Sequence, residues 1–214
     1  MKRLLFSIAV LAAMALSASE SAAAQDAKAK KIMMPESPSS VISLDGDDWS
    51  LTFWRQGEEP ICFPEGIKSA DTRTIPASVP GNVDIDLMAS GLEEDPRIGL
   101  NNYLTRKWED YQWCYTKRFS APKLEAGKKY FLWFGGIDTI ADIWLGDNYV
   151  GRTENMMIEH CFDVSELLEE GENTLYVIIQ SSVLYGRQPF FGAISLPWSI
   201  TTSISSTSPR KTTQ

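Results

Sequence analysis

Ser-His-Asp, Cys-His and His-cluster metal centres need histidine, and this sequence has one, His160, in the strand-like run Ile158-Glu159-His160-Cys161-Phe162. A Ser-His-Asp or Cys-His centre would have to use it as base, yet no G-x-S-x-G elbow accompanies it. A lone histidine also fails His-cluster metal sites, and neither a P-loop nor G-x-G-x-x-G is present. His160 therefore reads as an ordinary strand residue, and the sequence assigns no catalytic residue, metal ligand or cofactor. Cys62, Cys114 and Cys161 form no CxxC pair. They read either as three buried apolar thiols or as one bridge and one free thiol.

Carboxylate chemistry needs only two Asp or Glu at a set separation, and this chain has 28 acidic residues, so their abundance selects nothing. The doublets Asp47-Asp48, Glu58-Glu59, Glu93-Glu94 and Glu169-Glu170 read as solvated turns. The stretch from Asp95 to Trp108 differs. It is long and carries Arg97, Asn101, Asn102, Tyr103 and Trp108, which set amide and guanidinium donors beside aromatic faces. Sugar hydroxyls and the CH-rich face of a sugar ring require that combination, so these five residues are the candidate carbohydrate-binding set. A solvated loop is the alternative.

The chain that must position them has 214 residues and a formal charge of −8, with 20 basic residues. An acidic chain whose longest basic cluster is Lys28, Lys30 and Lys31 lacks the footprint of a nucleic-acid binder. Lys2 and Arg3 precede an apolar run from Leu4 to Leu16, and Ala22 and Ala24 suit cleavage before Gln25. Residues 1–24 are thus expected to be a secretory signal, with no membrane association after cleavage and a periplasmic or secreted destination. Residues 25–40 read as a flexible leader, 41–198 as one domain, and the Ser/Thr-rich 199–214 as a disordered tail.

Within the domain, short alternating runs separated by turns predict an all-β antiparallel sandwich with one or two short helices. Expected strands lie at 41–54, 112–119, 129–134, 139–145, 148–153, 159–164 and 174–181. Gly146-Asp147-Asn148 reads as a hairpin turn and Asn82 as the cap of a short helix ending at Gly91. Asp163 with Glu166 suggests a second capped turn. Trp49, Trp113 and Trp144 read as core aromatics.

Several fixed points keep their order across this region: Leu44-Asp45-Gly46 with Trp49, Val79-Pro80-Gly81-Asn82-Val83, Asp86-Leu87, Gly91-Leu92 and Asp95-Pro96. Asn101-Asn102, Trp108, Trp113-x-Tyr115, Phe134-x-Gly136-Ile137-Asp138-Thr139, Trp144-Leu145, Phe162-Asp163-Val164 and Gly171-Glu172-Asn173-Thr174-Leu175 follow. Together they resemble the N-terminal sugar-binding domain of glycoside hydrolase family 2, a galactose-binding-like jelly roll, most closely in its β-mannosidase branch. The resemblance implies that the Asp95 to Trp108 loop lies near a domain interface beside a substrate pocket. It also implies that retaining O-glycosyl hydrolysis belongs to two Glu on a TIM barrel of about 250 residues, reached through an immunoglobulin-like domain.

The family's Gly-Trp-Asp-Trp-Gly-Pro segment is expected after Phe191, where this chain reads Gly192-Ala193-Ile194-Ser195-Leu196-Pro197-Trp198, and no Asn-Glu dipeptide occurs. The expected function is therefore a non-catalytic sugar-binding domain, a fragment of an exported β-glycosidase acting in carbohydrate catabolism. Its partners would be a β-linked glycan and the missing catalytic domains. Alternatives are a stand-alone carbohydrate-binding module or a docking β-sandwich. Phe190, Phe191 and Trp198 would form an exposed apolar junction.

Overall fold

The computed structural model describes residues 29–35 and 40–187. Among these residues, two antiparallel sheets form the sandwich that the alternating runs predict. The larger has the order β3-β2-β4-β9-β6-β7, built from β2 (Gly46–Arg55), β3 (Arg73–Val79), β4 (Tyr111–Ala121), β6 (Ala141–Leu145), β7 (Asn148–Thr153) and β9 (Gly171–Ile179). The smaller has the order β1-β8-β5, from β1 (Lys30–Ile32), β8 (His160–Asp163) and β5 (Phe131–Phe134).

The period of two along β4 sends successive residues to opposite faces, and both faces are covered. Trp113 joins Leu51, Phe53, Ile143, Val177, Leu132 and Phe162 in the core between the sheets. Cys114 faces outward with Trp54, Trp144 and Ile178, beneath Ile61, Ile67 and Ala70 of the segment that carries α1 (Pro64–Ile67). Trp144 thus packs on the outer face, its Nε1 donating to the Cys62 carbonyl at 2.7 Å. Double coverage also explains β6, which is buried at every position. All three cysteines are free, which settles their pairing in favour of thiols, although Cys62 is only partly buried. Burial pushes the Cys62 and Cys114 thiols up to about 12, so neither is an activated nucleophile.

Capping and turn chemistry behave as their residue types require. Asn82 Oδ1 accepts from the Ile85 amide at 3.0 Å and starts α2 (Val83–Ala89). Gly91 at φ +69° follows its end, and Gly146 at φ +56° turns β6 into β7. Asp86 is 4% exposed and accepts from the Ser78 amide and the Tyr115 hydroxyl, both at 3.2 Å, which ties α2 to β3 and β4.

Other expectations are corrected. The leader reading of 25–40 gives way at Lys30–Ile32, where β1 pairs with β8 and Ala29 enters the core. β3 has no counterpart in the sequence reading because Pro76 interrupts it. As an edge strand bonded only to β2, it can leave that nitrogen unpaired. Asp47 and Asp48 lie in β2 rather than in a turn. Asp48 pairs with Lys117, a lysine at an inward position only 5% exposed, whose ammonium also lies 5.8 Å from the Trp49 ring centroid. By contrast, the Asp163 start stands as the single turn expected before Gly171, with the Leu167 and Leu168 amides both donating to the Val164 carbonyl at 2.9 Å, although Asp163 Oδ1 caps the Ser165 amide at 3.2 Å. The signal, the Ser/Thr-rich tail and Phe190, Phe191 and Trp198 lie outside the described residues.

The packing yields two expected outcomes. A Cβ at Gly151 would lie 2.5 Å from Cε1 of Phe162, itself 1% exposed and unable to retreat. Gly151→Ala should lower unfolding free energy by about 1–3 kcal/mol in urea titration. Asn82→Ala should lower it by about 1 kcal/mol through loss of the cap.

Candidate carbohydrate-contact site

The loop between α2 and β4 is organised by Asp95. Its Oδ1 accepts from the Arg97 amide and Nε, both at 2.9 Å, while Oδ2 accepts from Nη2 at 2.7 Å. This fork holds the Asp95 carboxyl at about 2, below the usual carboxylate range, chiefly through the guanidinium hydrogen bonds. The Asp95 carbonyl accepts from Asn101 Nδ2 at 3.0 Å. Two of the five candidates, Arg97 and Asn101, therefore use their donors to shape the loop.

Asn102 and Tyr103 belong to the single turn α3 (Asn101–Leu104) and face solvent, Tyr103 being 62% exposed. They remain available to a ligand. Trp108 ends a 3-10 turn (Thr105–Trp108), and its ring packs against Tyr111 at 5.0 Å, Phe53 at 5.6 Å and Trp113 at 6.0 Å between centroids. It anchors the loop to the core rather than offering an open stacking face. The structure thus brings the five residues onto one loop: Asn101 and Trp108 build it, Asn102 and Tyr103 are presented, and Arg97 does both, its side chain 82% exposed while its Nε and Nη2 hold Asp95.

Two features escaped the sequence reading. Ile98, Leu100 and Leu104 are 64%, 73% and 57% exposed and form an apolar edge beside Tyr103. Their signal was the apolar content of a stretch assigned to no strand, which a solvated loop does not need. Glu93 is the other. Both of its carboxylate oxygens and Trp108 Nε1 are buried without a well-formed hydrogen bond, the indole lying near enough to the carboxylate to interact with it. The doublet Glu93-Glu94 is therefore not simply solvated surface. Burial, then the nearby Asp84 charge, raises the Glu93 carboxyl above its ordinary value, opposed by Lys107 and Trp108.

A carboxyl with a raised folded-state pKa contributes stability that is present below its unfolded pKa and lost as pH rises through the folded value. Glu93→Gln removes that dependence. The variant should melt at a higher temperature than the parent at pH 7, with the difference closing towards pH 4, as read by thermal scans across that range.

Among the described residues, no group of three or more His, Cys, Asp or Glu could hold a metal ion. No helix there is long and apolar enough to cross a membrane. Relatives place this geometry in context. The chain is 35% identical over 124 residues to Beta-mannosidase B of Emericella nidulans, covering 58% of this chain and 15% of the relative. It is 32% identical over 150 residues to Beta-mannosidase B of Thermothelomyces thermophilus, covering 70% and 16%. Among solved structures, the β-D-mannosidase of Dictyoglomus thermophilum superposes with a TM-score of 0.54 at 35% identity, over 68% of this chain and 16% of that one. The chain thus spans about 15% of the length of the relatives it matches. Residues 63–206 match the family described as Glycosyl hydrolase 2 galactose-binding domain-like, and the chain belongs to that family.

Proposed function

We propose that this chain is the accessory, non-catalytic sugar-binding domain of an exported β-mannosidase-like enzyme, with O-glycosyl hydrolysis carried by a separate barrel domain. The observation that supports this most is the match to β-mannosidases at 35% and 32% identity, confined to about one sixth of their length. The loop chemistry agrees. Asn102 and Tyr103 project from a loop braced by Asp95, Arg97 and Trp108, so a glycan would meet an amide and an aromatic face at little ordering cost.

A second reading, a β-sandwich that docks the catalytic part, is favoured by the exposed Ile98, Leu100 and Leu104. Apolar side chains grouped on one loop suit a protein surface better than a polysaccharide. The two roles are compatible if the loop lies at the junction between this domain and the pocket. Export through residues 1–24 rests on the charged, apolar and small-residue order of that segment.

The purified chain should show no turnover of an aryl β-mannoside, and turnover that copurifies with it through successive columns would overturn the non-catalytic reading. On a glycan array it should retain β-linked mannoside ligands, and Tyr103→Ala and Asn102→Ala should each weaken retention by about fivefold, the loss from one modest contact. Unchanged retention in both variants would remove the loop from the site.

A further inference from the structure

The open edge of the sandwich between β1 and β7 holds a crevice of about 400 Å³, lined by Lys31, Arg152, Glu154, Asn155, Ile158 and His160. Its wall is rigidly built. Arg152 donates through Nη1 to Asp142 and through Nε to Glu154, both at 2.9 Å. Asp142 is 3% exposed and also accepts from the Tyr149 hydroxyl and Gln180 Nε2, each at 3.2 Å. Tyr185, on α4 (Ser182–Arg187), faces the guanidinium at 6.0 Å.

His160 closes the floor, fully buried, with Nε2 2.8 Å from the Asn155 carbonyl oxygen. A carbonyl only accepts, so Nε2 carries the proton, and Nδ1 has no partner among the described atoms. Asn155 Oδ1 accepts from the Met157 amide at 2.9 Å, which leaves the Asn155 amide hydrogens unpartnered among the described residues. Lys31 makes no ion pair there either. Ile158, 47% exposed, supplies an apolar wall.

Lys31 and Arg152 are balanced by Asp142 and Glu154, so the crevice carries no net formal charge from these groups. Free donors, a carboxylate acceptor and an apolar wall in a neutral cavity suit a ring that carries hydroxyls on its rim and CH groups on its face. An apolar ligand would strand the donors, and an anion would find no surplus of positive charge. The sheet register fixes where the crevice lies. Thr153 pairs with Ala141, Ala141 with Ile179 and Ile179 with Trp113. The crevice and the Asp95 to Trp108 loop thus leave the same end of the large sheet, three strand spacings or roughly 14 Å apart.

We propose that this edge crevice is a second glycan-contact site, taking a neutral hexose unit through Lys31, Glu154 and Asn155 with Ile158 against the ring face. It rests on the reading of the domain as sugar-binding, but none of its residues belongs to the loop. One oligosaccharide lying across the sandwich end would reach both.

His160 is the only histidine in the sequence, so its ring C–H signals in a ¹H–¹³C NMR spectrum report on the crevice floor without ambiguity. Titrating the full chain with β-1,4-mannobiose should shift them with a Kd on the order of 1 mM. Lys31→Ala and Asn155→Ala, both at exposed positions, should each weaken that Kd by about fivefold with the remaining spectrum preserved. Unaltered affinity in both variants would overturn the assignment, and a tighter response to glucuronate would overturn its neutral-sugar chemistry. Movement of Tyr103 signals with His160 still at about 50 mM ligand would sink the crevice and leave the loop reading intact. Movement of His160 alone would support the crevice and sink the loop, and silence at both would sink both.

Discussion

The buried side-chain amide of Gln112 is the constraint from which the rest of the molecule is arranged. It is fully excluded from solvent at the start of β4, and it must satisfy its donors and acceptor inside the protein. Its Oε1 accepts from the Ile61 amide at 2.8 Å and from Trp54 Nε1 at 3.2 Å, and its Nε2 donates to the Ile61 carbonyl at 2.9 Å. One side chain thus bonds to the Ile61 backbone on both sides and fastens the segment bearing α1 over the outer face of the large sheet. With that cover in place, Trp54, Cys114, Trp144 and Ile178 form a second apolar layer. The sheet has two cores, and β4 serves both.

The same end of β4 carries the loop proposed to contact glycan. The Gln56 amide donates to the Asp110 carbonyl at 2.8 Å, and Ser181 Oγ donates to the Glu109 carbonyl, so three separate chain segments converge where the loop enters the strand. Trp108 then inserts among Phe53, Tyr111 and Trp113, while Asp95 gathers Arg97 and Asn101. The loop that presents Asn102 and Tyr103 is braced at these points. Glu93 and the indole nitrogen of Trp108 lie buried together beneath the loop without a well-formed hydrogen bond, which is uncommon in folded proteins.

Much of the fold was legible residue by residue. The hairpin at Gly146, the cap at Asn82 and the two parities of β4 each depend on a few neighbours in sequence, and each stands as its residues imply. β1 and β3 were not legible for different reasons. Lys30–Ile32 is too short and too charged to show a strand period, and it becomes a strand only because β8 offers a free edge. Pro76 argues against a strand everywhere except at a sheet edge, and no local pattern tells that β3 lies there.

The candidate site divides along the same line. From its amino acids alone, this protein declares an antiparallel sandwich, a family resemblance, a single histidine with no G-x-S-x-G elbow and one loop rich in sugar-compatible groups, because residue type and short-range spacing carry each of these. Which of those groups are free to meet a ligand was decided by tertiary structure. Asn101 and Trp108 look like ligand contacts in sequence and are spent on the Asp95 carbonyl and on an aromatic cluster, whereas Lys31, Asn155 and His160 look unremarkable and are brought to one crevice by strands distant in the chain. A side chain's chemistry is local, but its availability depends on every partner that folding brings within hydrogen-bond reach, and those partners stand up to 125 positions away.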